Sequence, residues 1–156
     1  MAFRNVVALI VGVGLMAMQC LSNAQTDGVP VGVKFVAHAD TEARITTSRE
    51  GLAVTQIPTG AGALILLARR DHDGDVEVHL TRSEEIMVRD GHATVLVGGK
   101  VQGATSTMPD ELRGGRLTGA HPYVMSAGDL IWIPAGTPHR FQVPNGASIT
   151  YFTVKF

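Results

Sequence analysis

A chain of 156 residues, 45% of them hydrophobic, has room for one domain with one sizeable core and none for a second. Its 13 basic residues nearly balance 14 acidic ones, and no basic run or stripe breaks that balance, so the electrostatic footprint of a nucleic-acid binder is missing. No glycine-rich phosphate loop and no serine in a G-x-S-x-G elbow stands in the sequence, which removes the usual support for nucleotide-binding and hydrolase readings.

The amino-terminal stretch Met1-Ala2-Phe3-Arg4-Asn5 is followed by an apolar run from Val6 to Met18 and closes on Ser22-Asn23-Ala24. This pattern predicts a secretory signal peptide over residues 1–24, cleaved after Ala24, and hence a periplasmic or secreted protein. The apolar run falls short of the roughly 20 residues that span a bilayer as a helix, and no later segment is long or apolar enough, so the mature chain is expected to be free of the membrane. Cys20 raises a rival reading as a lipid-modified cysteine, but Ala17-Met18-Gln19 before it lack the small residue that such a site wants. Because Cys20 is the only cysteine, its removal would leave a domain over 25–156 without disulfides or thiolate ligands, and any metal would be held by His and carboxylate.

Gln25 to Pro30 reads as a loose leader and Val31 to Val36 as a first strand. Thr41 to Glu50 fits either a short helix or a polar strand. Leu52 to Ile57 and Ala63 to Arg70 are β-rich runs set off by Pro58, Gly60 and Gly62. From Asp75, Val76, Val78 and Leu80 alternate with Glu77 and His79. This apolar row is expected either to pack beneath another sheet or to supply a dimer interface. Ile86 to Arg89 and Ala93 to Val97 then flank Asp90-Gly91, which predicts a hairpin. Residues 98–120, with six glycines and one proline, predict a long loop. Strands are expected again at Pro122 to Met125, Asp129 to Ile133, His139 to Val143 and Ala147 to Lys155. Many short strands with frequent turns and no sustained helical period predict an all-β fold, a sandwich or jelly-roll barrel.

The most specific local pattern is Gly128-Asp-Leu-Ile-Trp-Ile-Pro134-Ala-Gly136-Thr-Pro-His139, with the spacing G-x5-P-x-G-x2-H. Gly128 would permit a tight turn into an apolar strand, Pro134 and Gly136 a second turn that ends it, and His139 would share a strand face with Phe141 and Val143. This segment resembles the second motif of the cupin superfamily. The first cupin motif, H-x-H-x3 or 4-E-x6-G, is partly matched by His79, Glu84 and Gly91, with Glu77 where the family has its first histidine.

The resemblance runs from about Asp75 to Phe156 and is nearest to small secreted single-domain bacterial cupins. It implies a double-stranded β-helix, or jelly-roll barrel, holding one divalent metal ion through His79, Glu84 and His139. Glu77 would be a fourth ligand or a base that orients His79. Fe(II) or Mn(II) is favoured, with Zn(II) and Ni(II) as alternatives; two imidazoles, a carboxylate and open positions form a set used by non-haem iron enzymes. A metal-free alternative makes His139 and Glu84 an internal hydrogen-bonded pair. Since cupins are often dimers, the resemblance also implies a homodimer.

His121 and Tyr123 are candidates to line the barrel mouth, His121 as acid or base and Tyr123 as a hydrogen-bond donor. Trp132 is expected to pack. Asp71 to Asp75 reads as a solvated turn, and His92 and His38 as surface residues. The implied function is a metal-dependent enzyme, of oxygenase, isomerase or lyase type, with a dioxygenase foremost, acting on a small oxygen-rich metabolite. The alternative is a non-catalytic module that binds a small ligand or a metal.

Overall fold

A computed structural model describes residues 33–45, 52–57 and 63–156. The expected signal peptide, its cleavage point, Cys20 and the leader to Pro30 lie outside the described residues, as do Val31, Gly32 and 46–50. Residues 33–37 have no regular structure, so the strand expected from Val31 to Val36 does not form over its described part. Between the two readings of the next segment the helix holds: α1 spans His38–Ile45, with Asp40 in its first turn, Arg44 in its last, and Thr41 and Ile45 buried against the sheet.

Twelve strands follow among the described residues: β1 Leu52–Ile57, β2 Leu64–Arg70, β3 Glu77–His79, β4 Glu84–Val97, β5 Lys100–Gln102, β6 Thr105–Met108, β7 Glu111–Arg113, β8 Arg116–Thr118, β9 His121–Ser126, β10 Leu130–Ile133, β11 His139–Gln142 and β12 Ile149–Lys155. Ten of them form one hydrogen-bonded, curled antiparallel sheet, and β5 pairs separately with β8. The fold is therefore the all-β jelly roll that the strand spacing predicts.

Strand β4 is the hinge of the architecture. Its first half pairs with β12 and β10, and its second half with β9 and β11. The hairpin expected at Asp90-Gly91 is absent; β4 continues through it, bent by an irregularity opposite Thr150 and Tyr151 that leaves Arg89 without a register partner on β12. That extra residue switches the side-chain parity. Ile86 and Val88 are buried before it, and Ala93 and Val95 after it. An odd insertion is what a period-two strand requires to keep its apolar residues inside. Gly91 completes the bend at φ 76°, and a Cβ there would lie 1.9 Å from the Ser148 carbonyl oxygen.

The expected loop over 98–120 is likewise more ordered than its glycines suggest, since it contains β5 to β8. The main core joins Ile86, Val88, Val95, Phe141, Ile149 and Tyr151 with their neighbours, Phe141 stacking on Tyr151 at 4.7 Å. Val76 and Val78 are buried on the strand face opposite Glu77 and His79, so the chain itself covers them and they offer no dimer interface; of that row only Leu80 is exposed.

Candidate metal centre

Register brings the predicted residues together before any side chain is considered. His139 on β11 pairs with Glu77 on β3, and Glu84 opens β4 opposite Lys155 at the end of β12. Cross-strand partners share a sheet face. The turn predicted after Ile133 positions the histidines: Thr137 N–H donates to the Pro134 carbonyl, and Gly136, at φ 75°, donates its N–H to the His79 carbonyl at 2.8 Å. Pro134 and Gly136 thus tie the start of β11 to the end of β3.

The result is a buried ionic cluster. Glu77, His79, Glu84 and His139 are each at most 7% exposed. Glu84 Oε2 lies 3.1 Å from His139 Nε2 and 3.3 Å from His79 Nε2, yet has no hydrogen-bond partner among the described residues. His139 Nδ1 faces the Thr137 carbonyl at 3.3 Å, and His79 Nδ1 faces Glu111 Oε2 at 3.4 Å. With acceptors at both Nδ1 positions, each ring in its neutral form carries its proton there and directs its Nε2 lone pair inward. Three electron-rich atoms then converge on one point, an arrangement that a cation satisfies.

Glu77, His79 and His139 also offer ligand atoms all within 4.8 Å of one another. Glu77, however, is already engaged. Arg70 Nη2 donates to its Oε1 at 2.9 Å, and Arg113 Nη2 to its Oε2 at 3.2 Å. Arg70 also donates to the Tyr151 hydroxyl at 2.9 Å and lies over the Phe141 ring, while Arg113 bonds Glu111 as well. On the other side, Lys155 Nζ stands 2.9 Å from His79 Nε2, and Thr153 Oγ1 donates to Glu84 Oε1.

These neighbours set the protonation states. Burial acts to raise the Glu84 carboxyl, but the two imidazoles and Lys155 outweigh it and hold it well below the usual carboxylate range. Burial acts to lower His139, but Glu84, then Glu77 and the Thr137 carbonyl, raise it above its ordinary value. Burial pushes the Tyr151 hydroxyl up to about 12, so it remains a neutral acceptor for Arg70.

His121 and Tyr123 are not in the cluster. His121 pairs with Val97, which on its other side pairs with His139, so His121 shares the site's sheet face two strands away, about 10 Å by strand spacing. Both are exposed on β9 and contact each other edge-on at 4.8 Å. Trp132 is half exposed, its ring against Phe156, and so packs on the outer surface. His38 and His92 are exposed, as expected. The Asp71 to Asp75 segment is more than a solvated turn, because Asp73 accepts from Arg140 and from the Val143 N–H and thereby pins the segment to β11.

Arg70, Glu111, Arg113, Thr153 and Lys155 were not singled out by sequence reasoning. One signal was available for two of them. Tyr151, Thr153 and Lys155 alternate with Phe152 and Val154 along one strand, and in a barrel an inward row that turns polar marks a site.

A cleft of about 620 Å³ opens on this cluster, lined by His79, Arg82, Asp110, Glu111, Arg113 and Lys155 among others. A larger cleft, about 910 Å³, includes Arg69, His72 and Asn145, at the opposite ends of β2 and β12, and touches none of the cluster.

Residues 113–156 match the family described as the AraC-like ligand binding domain. No curated protein sequence matches. Among solved structures the chain is similar to the plu4264 protein from Photorhabdus luminescens, at 13% identity and a TM-score of 0.53, covering 80% of this chain and 88% of that one. It is similar to hydroxypropylphosphonic acid epoxidase from S. wedmorenis, at 13% identity and a TM-score of 0.53, covering 69% and 51%. It is also similar to a recombinant oxalate oxidase in complex with glycolate, at 17% identity and a TM-score of 0.50, covering 72% and 56%. The chain thus spans only about half the length of the last two.

Proposed function

We propose, for a chain whose fold is that of the cupins, that His79, Glu84 and His139 hold one divalent metal ion and that a small oxygen-rich metabolite meets it through the adjoining cleft. The carrying observation is Glu84 Oε2, buried within 3.3 Å of two Nε2 atoms and without a hydrogen bond among the described residues. A bound ion would supply Lewis acidity, or oxygen activation if it is iron, with Fe(II) or Mn(II) ahead of Zn(II) and Ni(II). Glu111 orients His79 for this role, and the Thr137 carbonyl orients His139. Glu77, its oxygens taken by Arg70 and Arg113, acts beside the ligands as the counter-charge of both guanidiniums. His121 and Tyr123 lie on the same sheet face but outside the lining of that cleft, so only a ligand that extends across β4 would meet them.

On this reading the protein is a metal-dependent enzyme of oxygenase, isomerase or lyase type. An observation also favours a second reading, a non-catalytic ligand-binding module. Lys155 Nζ, 2.9 Å from His79 Nε2 and 3.9 Å from Glu84 Oε1, already brings a positive charge to the centre. Metal analysis of the purified protein with its His79→Ala and His139→Ala variants decides between them. About one equivalent of metal, lost in both variants, supports the metalloenzyme; a well-folded, metal-free wild type supports the module.

Export is part of the proposal, carried by the Arg4 to Ala24 pattern, and a mature amino terminus at Gln25 in secreted or periplasmic protein is its test. So is a homodimer, supported by the exposed Val124, Leu130 and Trp132. Sedimentation of the purified protein as a monomer at micromolar concentration would refute it.

A further inference from the structure

We propose that Lys155 is a ligand-selecting residue, which occupies His79 while the metal is absent and turns into the cleft to hold an anionic oxygen of the ligand once the metal is bound. The inference rests on the metal reading above and adds the charge of the ligand to it.

His79 Nε2 has a single lone pair. In this structure that lone pair faces Lys155 Nζ at 2.9 Å, and Nδ1 faces Glu111. A metal ion and an ammonium cannot share it. An ammonium has three donors and no acceptor, so when the ion takes Nε2, Lys155 loses its closest partner and stands beside a second cation. Glu84 Oε1, 3.9 Å away, is bonded to Thr153 and offers Lys155 little in exchange. A cation left buried and unpaired is costly, so the ammonium must find another anion.

The cleft is the available direction. Lys155 lines it, together with His79 and Arg113. Within the cluster Arg113 is spoken for by Glu77 and Glu111, which leaves Lys155 as the cation released by metal binding. Its position permits the movement: it is the last residue of β12, and its flexible four-carbon stem can redirect the ammonium without moving the strand. A metabolite that reaches the metal through this cleft would therefore meet the metal and a freed ammonium together. A small carboxylate matches both, and its uncharged amide matches neither as well.

The test compares wild type with Lys155→Met and Lys155→Gln, first titrating metal-free protein with Co(II), followed by its visible absorption. Co(II)-loaded protein is then titrated calorimetrically with malonate and, separately, with malonamide. Removing the competing ammonium is expected to tighten Co(II) binding by about tenfold and to weaken malonate by about tenfold, with malonamide unchanged. Unchanged Co(II) or malonate affinity in a folded variant overturns the proposal, as does an equal loss for malonate and malonamide. Thermal unfolding of the loaded variants identifies one that has not folded, and the other variant then decides. If wild type and both variants fold but none binds Co(II), the metal centre itself fails and this inference fails with it. That outcome differs from intact Co(II) binding with indifferent malonate, which removes Lys155 alone.

Discussion

The inside of the barrel is two different environments joined along the same strands. On β12, Tyr151 packs on Phe141 in the apolar core, and four residues later Lys155 faces His79 in the ionic cluster. On β4, Glu84 belongs to the cluster, and Ile86, one alternation further, has no exposed surface. The apolar end is held by burial, which is non-directional and tolerates partial repacking. At the ionic end each charge is kept by particular partners, and removing one partner leaves another group unpaired. The contrast shows where this molecule can absorb change and where it cannot.

The sharpest way to break the contrast is Glu77→Leu, which strands the Arg70 guanidinium in the interior without a carboxylate. Chemical denaturation is expected to show a loss of about 3–5 kcal/mol, and Arg70→Leu with Glu77→Leu should recover most of it, because removing both charges leaves neither unpaired. At the apolar end, Ile86→Ala is expected to cost about 3 kcal/mol, with metal affinity unchanged once the protein is folded. A loss of metal binding in that variant would mean that the two ends are not separate. Gly91→Ala sits between the ends, at the bend that passes β4 from one to the other. With φ at 76° and the Ser148 carbonyl in the way, it is expected to cost at least about 2 kcal/mol by denaturation.

The smallest expected effect is the dependence of stability on pH, and its sign separates the metal-free protein from the loaded one. Glu84 is depressed in the folded protein, so its contribution is present above its unfolded value near ~4.3 and is lost as pH falls through its lower folded value. His139 is raised, so its contribution is complete below about 6.5 and is lost as pH rises through its higher folded value. Metal-free protein should therefore be most stable between those limits and lose on the order of 1 kcal/mol toward alkaline pH. Metal requires neutral imidazoles, so the loaded protein should gain stability over the same alkaline range. Thermal unfolding across pH 4 to 9, with and without metal, checks both signs. Parallel curves would indicate that no metal binds these histidines.

What the sequence revealed follows from how local each cause is. The segment from Gly128 to His139 was legible because its turns depend on residues inside it, and Pro134 and Gly136 perform there the task their types predict. His79, Glu84 and His139 were legible as a set through a family pattern. The continuity of β4 was not, because Asp90-Gly91 is a strong local turn signal, and only the pairing of Ile149 and Thr150 with those two residues makes them strand. The strands within 98–120 were hidden by glycines that serve their turns. Arg70, Glu111, Arg113 and Lys155 were invisible for the same physical reason: each matters through a partner on another strand, up to 81 residues away for Arg70 and Tyr151.

Strand β4 is paired on both flanks for most of its length, to β12 and β10 at its start and to β9 and β11 at its end. A strand so placed has no free edge from which to peel, and its amides should be among the slowest to exchange with solvent. Glu84 opens this strand, and Val97, flanked by His121 and His139, closes it. Partial opening of the barrel would therefore begin at β1 or β6, with the cluster retained until the whole domain lets go.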